Sequence, residues 1–430
     1  MTQPALLQNP NHRMSSRSIL RSLGPGILLA GAAIGGSHIY QSTVAGADFG
    51  WGLLWIVILV NVLKFPFFEY VYRYNISTQE TMLHGYKERS VGIFWTATII
   101  LFISGILNIV ALCIGTGALL QGLINRSFVT LPVATAAVAL SCLAIVLIGR
   151  YKALDLVAKV VVSLLSVCTI WAFILAFAKG AEGDSTLPEP IIFQWANVPF
   201  MLALMGWMPL PLDITVWPSL WNCEKKEEAG EFPHRGEAYV DLHLGYWAAA
   251  LLAVFFLGLG ALVLYQTPVE INKSNAVAFS SQFIGLYGSI FGESAKWLIG
   301  IAAVTALYSS ALTCVDGYSR TMFHCLREFA PNSITPKNKY SIMGAFAVFY
   351  CAVSIIIASY FVKSVGSMID LATIIAFLTA PIMALANILV VESNVCPKSA
   401  RPGWGMRIFA YTGFLFLLVF ASLYIVTLFQ

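Results

Sequence analysis

The sequence predicts an all-α polytopic membrane protein with eleven transmembrane spans, built as two five-span repeats of opposite orientation plus one added span. Three observations predict this. Hydrophobic residues make up 58% of the 430 residues and charged residues only 11%, and a soluble chain of that size needs far more polar surface. Apolar runs of about 20 residues, the length that crosses a bilayer, recur along the chain with short polar connections. Two of these runs, five spans apart, are interrupted in their middles.

The first 23 residues carry Arg and Ser without the apolar core of a signal peptide, so they read as a cytoplasmic segment. Span 1 covers 24–47 and is broken at Gly35-Gly36-Ser37-His38. Spans 2 to 5 follow at 50–72, 93–122, 131–149 and 153–178, completing a first repeat over 24–178. An external loop, 179–195, leads to span 6 at 196–220, broken at Pro209-Leu210-Pro211-Leu212-Asp213. Spans 7 to 10 (239–265, 293–323, 340–362 and 366–391) complete a second repeat over 196–391. A loop and span 11 (406–429) fill 392–430. An odd number of spans per repeat forces the second copy to be inverted in the membrane. The stretch 275–291 reads as an external surface helix or a lid, and the charged loop Glu224–Glu237 reads as solvated.

The basic residues fit this layout. Eighteen of the 25 Lys and Arg fall on one side, five on the other, and Lys64 and Lys159 fall within spans. Positive residues stay cytoplasmic, which predicts an N-terminus inside, a C-terminus outside and a bacterial plasma-membrane location. The net charge of +4 belongs to these loops and does not indicate nucleic-acid binding. The eight cysteines are scattered without a C-x-x-C pair, so neither disulfides nor structural zinc is expected, and no cofactor is implied. No nucleophile, base and oxyanion arrangement is readable, so an enzyme is not expected.

Unwound backbone inside a bilayer is tolerated only where it is buried in protein or lines a cavity. Paired interruptions in corresponding spans are therefore the best sequence pointer to a solute site. Gly35, Gly36, Ser37, His38, Trp207, Leu210 and Asp213 are the candidate substrate-binding residues. His38 is a ligand, a proton carrier, or a ring bonded to unwound backbone. A carboxylate at membrane depth, such as Asp213, is expensive and is functional by default; the alternative is a cap on the second half of span 6. His38 and Asp213 are also the candidate metal ligands. Lys64 needs a partner, and Asp213 from another span is one candidate. His38, Lys64, Asp213 and Asp316 are the candidate coupling residues. Asp316 lies one turn before Arg320, which suggests a local ion pair. Asp370 reads as hydrated near the outer end of span 10. Ser309, Ser310 and Thr313 offer hydroxyls to a central cavity or serve close helix packing.

Gly24-Pro25-Gly26, Ala45-Gly46-Ala47-Asp48-Phe49-Gly50, Leu53-Leu54-Trp55 and Tyr308-Ser309-Ser310-Ala311-Leu312-Thr313 resemble the Nramp family. That family comprises proton-coupled importers of divalent metals on the leucine-transporter fold. The resemblance runs from about residue 24 to 391 and implies the bilayer, a small charged substrate and a co-transported proton as partners. The family's metal-binding DPGN stretch falls on Gly35, Gly36, Ser37 and His38. Its A-x-x-M-P-H stretch puts Trp207, Leu210 and Leu212 where Ala, the ligating Met and His stand. Its acidic span 3 stretch matches Ile109–Gly115, which has no acid. Two cargoes follow: a divalent cation held by a remodelled site, or a small organic solute such as an amino acid or carboxylate. In the second, Gly35 in place of a carboxylate makes room for the larger ligand. A sensor in a transporter frame ranks behind both.

Overall fold

The computed structural model describes residues 24–124, 129–181, 183, 189–230, 232–267, 282, 285, 288, 292, 295–360, 365–427 and 429. The segment 1–23 and nearly all of the expected 275–291 helix lie outside them. Every regular element among the described residues is helical. Seven helices among these residues are long and apolar enough to cross a membrane. In chain order the α-helices are α1 Pro25–Ala33, α2 Thr43–Phe49, α3 Leu54–Thr78, α4 Met82–Arg89, α5 Val91–Ile124, α6 Leu131–Lys179 and α7 Val198–Gly206. They continue as α8 Trp217–Ala229, α9 Arg235–Val263, α10 Ala295–Phe329, α11 Lys339–Tyr360, α12 Val365–Val391 and α13 Trp404–Thr427.

Spans 1 and 6 are each divided, as their Gly and Pro residues predict. Span 1 unwinds at Ile34-Gly35, resumes as a π-helix over Gly36–Ser42, and passes into α2. Single π turns inside helices concentrate at functional positions. Span 6 stops at Gly206 and resumes with a 3-10 turn over Asp213–Val216 before α8. Pro209 and Pro211 lack the N–H that helical continuation requires.

Spans 4 and 5 form one helical run, α6, of 49 residues. At 1.5 Å per residue it is about 74 Å long, over twice the roughly 30 Å hydrocarbon thickness. Thr135 near its start packs on Gly117, and Phe173 near its end packs on Gly258. Both glycines lie toward the C-terminal ends of their helices, α5 and α9.

Asp241 of α9 fixes where α1 begins. Its carboxylate accepts the backbone N–H groups of Gly24 (3.0 Å) and Gly26 (2.6 Å), buried donors at a helix N-terminus that have no partner within the helix. The core is continuous across the bundle, with α5, α9 and α10 contributing long buried faces. Trp55, Trp95, Trp171 and many aliphatic side chains are exposed on the outside, as lipid-facing surfaces require.

On the Lys/Arg-rich face, the structure corrects the reading of Glu224–Glu237 as a solvated loop. Helix α8 runs on to Ala229, and Glu224 is buried. Its carboxylate takes Arg320 of α10 at 2.8 Å and also Lys339, the first residue of α11. Arg320 grips Asp316 with two further bonds of 3.0 and 2.6 Å. Glu227 accepts from Lys339 at 2.8 Å. The buried charges are paired and fully bonded, the condition under which they are tolerated.

Candidate functional site

The two breaks face each other. A Cβ added to Gly36 would lie 2.4 Å from the Trp207 ring, so the π segment of span 1 lies directly against the break of span 6. Between them is a cavity of about 20 Å³, lined by Gly36, Ser37, Asn108, Trp207, Pro211 and Cys314 among others. That is room for about one water or one ion.

Gly35 does not open space for a larger ligand. A Cβ there would fall 2.3 Å from Ser310 Oγ, and that hydroxyl donates to the Gly31 carbonyl at 2.9 Å. The volume a family carboxylate would fill is occupied by α10. Ser310 and Thr313 are packing hydroxyls: Thr313 donates back to the Ser309 carbonyl at 2.7 Å.

His38 is fully buried but does not line the cavity. Its Nε2 lies 2.8 Å from the Ala249 carbonyl of α9, and a carbonyl only accepts, so Nε2 carries the proton. Nδ1 lies 2.9 Å from the Ser37 hydroxyl. Both ring nitrogens are engaged, which leaves no free lone pair for an ion. Of the readings offered for His38, the backbone-bonded ring is the one these contacts match, and it ties the π segment to α9.

Asp213 is buried in the 3-10 turn that restarts span 6. Its Oδ2 accepts the Tyr318 hydroxyl at 2.6 Å. Tyr318 in turn accepts from Asn108 Nδ2, and Asn108 Oδ1 accepts the Trp207 indole N–H at 3.1 Å. A directed chain thus runs from Trp207 at the cavity wall through Asn108 and Tyr318 to the carboxylate. Asp213 Oδ1 is buried with no hydrogen-bond partner. His38 and Asp213 do not meet at a common point, and no cluster of three His, Cys, Asp or Glu able to hold a metal exists among the described residues.

Lys64 and the Asp213 carboxylate attract each other electrostatically, as the expected partnership requires, but the direct bonds of Lys64 go to backbone. Its ammonium, fully buried, donates to the carbonyls of Met205 (2.7 Å), Gly206 (2.9 Å) and Leu210 (3.3 Å). Leu210 contributes that carbonyl, while its side chain is buried in the core and does not line the cavity. Glu69 pairs with Arg73 at 2.5 Å. Asp316 is held in the ion network with Arg320, away from the cavity, because its helical neighbour one turn on offers a bidentate partner. Asp370 is not simply hydrated: Gln41 of the π segment donates to its Oδ1 at 2.9 Å.

Asn108, Cys314 and Tyr318 went unnoticed in the sequence. A lone Asn in the apolar run of span 3 was the available signal. Nothing local marks Cys314 or Tyr318; only the turn of α10 toward the breaks selects them.

The natural resistance-associated macrophage protein-like family model matches residues 26–427. The chain belongs to the Nramp family. An uncharacterized protein of Pasteurella multocida is 34% identical over 381 residues, covering 86% of this chain and 84% of the relative. Among solved structures, a variant of the Eremococcus coleocola manganese transporter superposes with a TM-score of 0.71 at 13% identity, over 97% of this chain and 88% of the other. MhsT, crystallised with L-phenylalanine, superposes with a TM-score of 0.64 at 13% identity, over 96% and 98% of the two chains. At such identities the superpositions show the shared leucine-transporter fold. This Nramp chain is an integral membrane protein and a transporter by family.

Proposed function

We propose that this Nramp chain imports a divalent metal cation by alternating access through the cavity between the two breaks. The observation that carries the reading is the size of that cavity. At about 20 Å³ it accepts one ion, whereas pockets for organic ligands run to roughly 300–1,000 Å³. The organic-solute alternative therefore has no supporting geometry in this conformation.

The donors that face the cavity are neutral: the Asn108 amide oxygen, the Ser37 hydroxyl, the Cys314 thiol and backbone of the breaks. A thiol favours transition metals over magnesium and calcium. Ligation requires the thiolate, so binding a metal at Cys314 releases a proton. Asp213, at the end of the Trp207–Asn108–Tyr318 chain, supplies the nearest carboxylate and is a proton acceptor for coupling. The eighteen-to-five distribution of basic residues supports a cytoplasmic position for the Arg320–Glu224–Lys339 network, whose buried pairs would close an inner path there.

Proteoliposome uptake of manganese, against a panel of amino acids and organic acids, tests the reading. Manganese uptake is expected, reduced at least about tenfold by Cys314→Ser, on the scale of losing a metal-site group. Uptake of an amino acid, with no metal binding by calorimetry, overturns it.

A further inference from the structure

Lys64 has a role that neither the family nor the cavity assigns. Its Nζ is fully buried, and its three contacts are all carbonyl oxygens of the span 6 break, at 2.7, 2.9 and 3.3 Å. A carbonyl cannot donate, so each contact needs a hydrogen from the amine. Only the ammonium form has three. Met205 and Gly206 are the last two residues of α7, and Leu210 is the loop residue that closes over them. The end of a helix carries exposed carbonyls and the negative end of its dipole. These are the features of a cation site, and it is buried within the bundle.

We propose that Lys64 is a tethered cation, filling a carbonyl cage at the end of α7 that would otherwise demand a free ion. Span 2 delivers the charge on a flexible stem, and the cage holds the break open without consuming a solute. The cage is thereby withdrawn from the transported ion. A mobile cation in the cavity has to find its donors on the π segment, α5 and α10 instead. Lys64 is thus a positioning residue for the break and a specificity-determining one for the site. The proposal concerns the resident charge and holds whichever solute crosses.

The test uses the full chain in detergent and in proteoliposomes, with three substitutions. Lys64→Ala removes the charge and leaves room; Lys64→Met removes the charge and keeps the stem; Lys64→Arg keeps the charge in a larger head. The probes are ammonium, methylammonium, potassium, sodium and manganese chlorides, with choline chloride at equal ionic strength as control. The folded fraction is read by fluorescence-detected size exclusion of detergent extracts, and the unfolding midpoint on purified protein. Wild type should show no shift specific to ammonium, methylammonium, potassium or sodium, and any shift with manganese, from the cavity, sets the baseline for the variants. Lys64→Met should stay destabilised relative to wild type in every salt. Lys64→Ala should be destabilised and regain midpoint, or folded yield, saturably with ammonium, methylammonium or a metal cation but not with choline. Lys64→Arg should fall between wild type and Lys64→Met. A Lys64→Met protein as stable as wild type overturns the proposal. So does a Lys64→Ala protein that no small cation recovers, including the case where both neutral variants fail to fold in all salts.

Discussion

A methyl group at Gly35 should be enough to disturb the first break, and its cost can be worked from the contacts. The Cβ of Gly35→Ala would lie 2.3 Å from Ser310 Oγ and 2.8 Å from Ser310 Cβ. Both are well inside van der Waals contact, so something must move. Ser310 is poorly placed to yield, because its hydroxyl is bonded to the Gly31 carbonyl and the residue lies within α10. Overpacking of this kind costs about 1–3 kcal/mol. Ser310→Gly removes both clashing atoms. Alone it should cost about 1–2 kcal/mol, from one hydrogen bond and the poorer helix propensity of Gly. Together the substitutions should cost less than their sum by about 1–3 kcal/mol, since the clash is gone. Unfolding of the four proteins in detergent, analysed as a double-mutant cycle, measures that coupling. A Gly35→Ala protein as stable as wild type, or a cycle with no coupling, would show that the site of the family carboxylate is not filled by α10.

Three further outcomes follow from the contacts around the site. Glu224→Ala breaks buried pairs that in isolation would be worth about 3–5 kcal/mol. Arg320 keeps Asp316 and Lys339 keeps Glu227, so a loss nearer about 2 kcal/mol is expected. In a background whose other cysteines are replaced, Cys314 should then react faster with maleimide, and unchanged labelling would argue against a closed inner path. Asn108→Leu should strand the Trp207 indole N–H and cost about 1–3 kcal/mol while lowering uptake; full activity would remove the chain from the mechanism. The third outcome concerns pH. The hydrogen bond between His84 and Glu328, 3.1 Å long, raises the His84 pKa against the opposing effect of burial. Glu328 is pushed up by burial, but bonding to His84 outweighs this and leaves it below the usual carboxylate range. The His84 contribution to stability is therefore complete below its ordinary value of about 6.5 and lost as pH rises through the raised value. The Glu328 contribution is lost as pH falls through its lowered value. The midpoint difference between wild type and His84→Ala should shrink at alkaline pH, and a difference that grows there would contradict the pairing.

The fold was largely legible because bilayer burial writes itself into composition. Apolar runs of spanning length, and the Gly and Pro residues inside two of them, are local features that need no tertiary knowledge. The divided spans and the helical character follow from them, while the family follows from the resemblance of short motifs such as Gly24-Pro25-Gly26. The side chains of the site were less legible, for a consistent reason. Lys64 does feel the Asp213 carboxylate, as expected, but its hydrogen bonds go to backbone, and every residue carries the same backbone groups. For His38 the sequence left ligand, proton carrier and backbone-bonded ring open, and which carbonyl the ring meets, that of Ala249, depends on another helix. Gly35 suggested empty volume, which depends entirely on what another helix places there. Glu224 read as a solvated charge because its partners, Arg320 and Lys339, lie about a hundred positions away.

From its sequence alone this protein is determined to be a membrane-embedded helical bundle of the Nramp type, interrupted at two matched places and without the family's usual ligands. The bundle and its breaks rest on residue type and local order, which hydropathy and hydrogen-bonding capacity translate directly into helices and interruptions; the Nramp type and the missing ligands rest on the resemblance of short motifs. The tertiary structure alone decides that the breaks enclose an ion-sized cavity, that α10 fills the place of the missing carboxylate, and that Lys64 occupies the end of α7. Each depends on distances between helices far apart in the chain, and packing sets those distances.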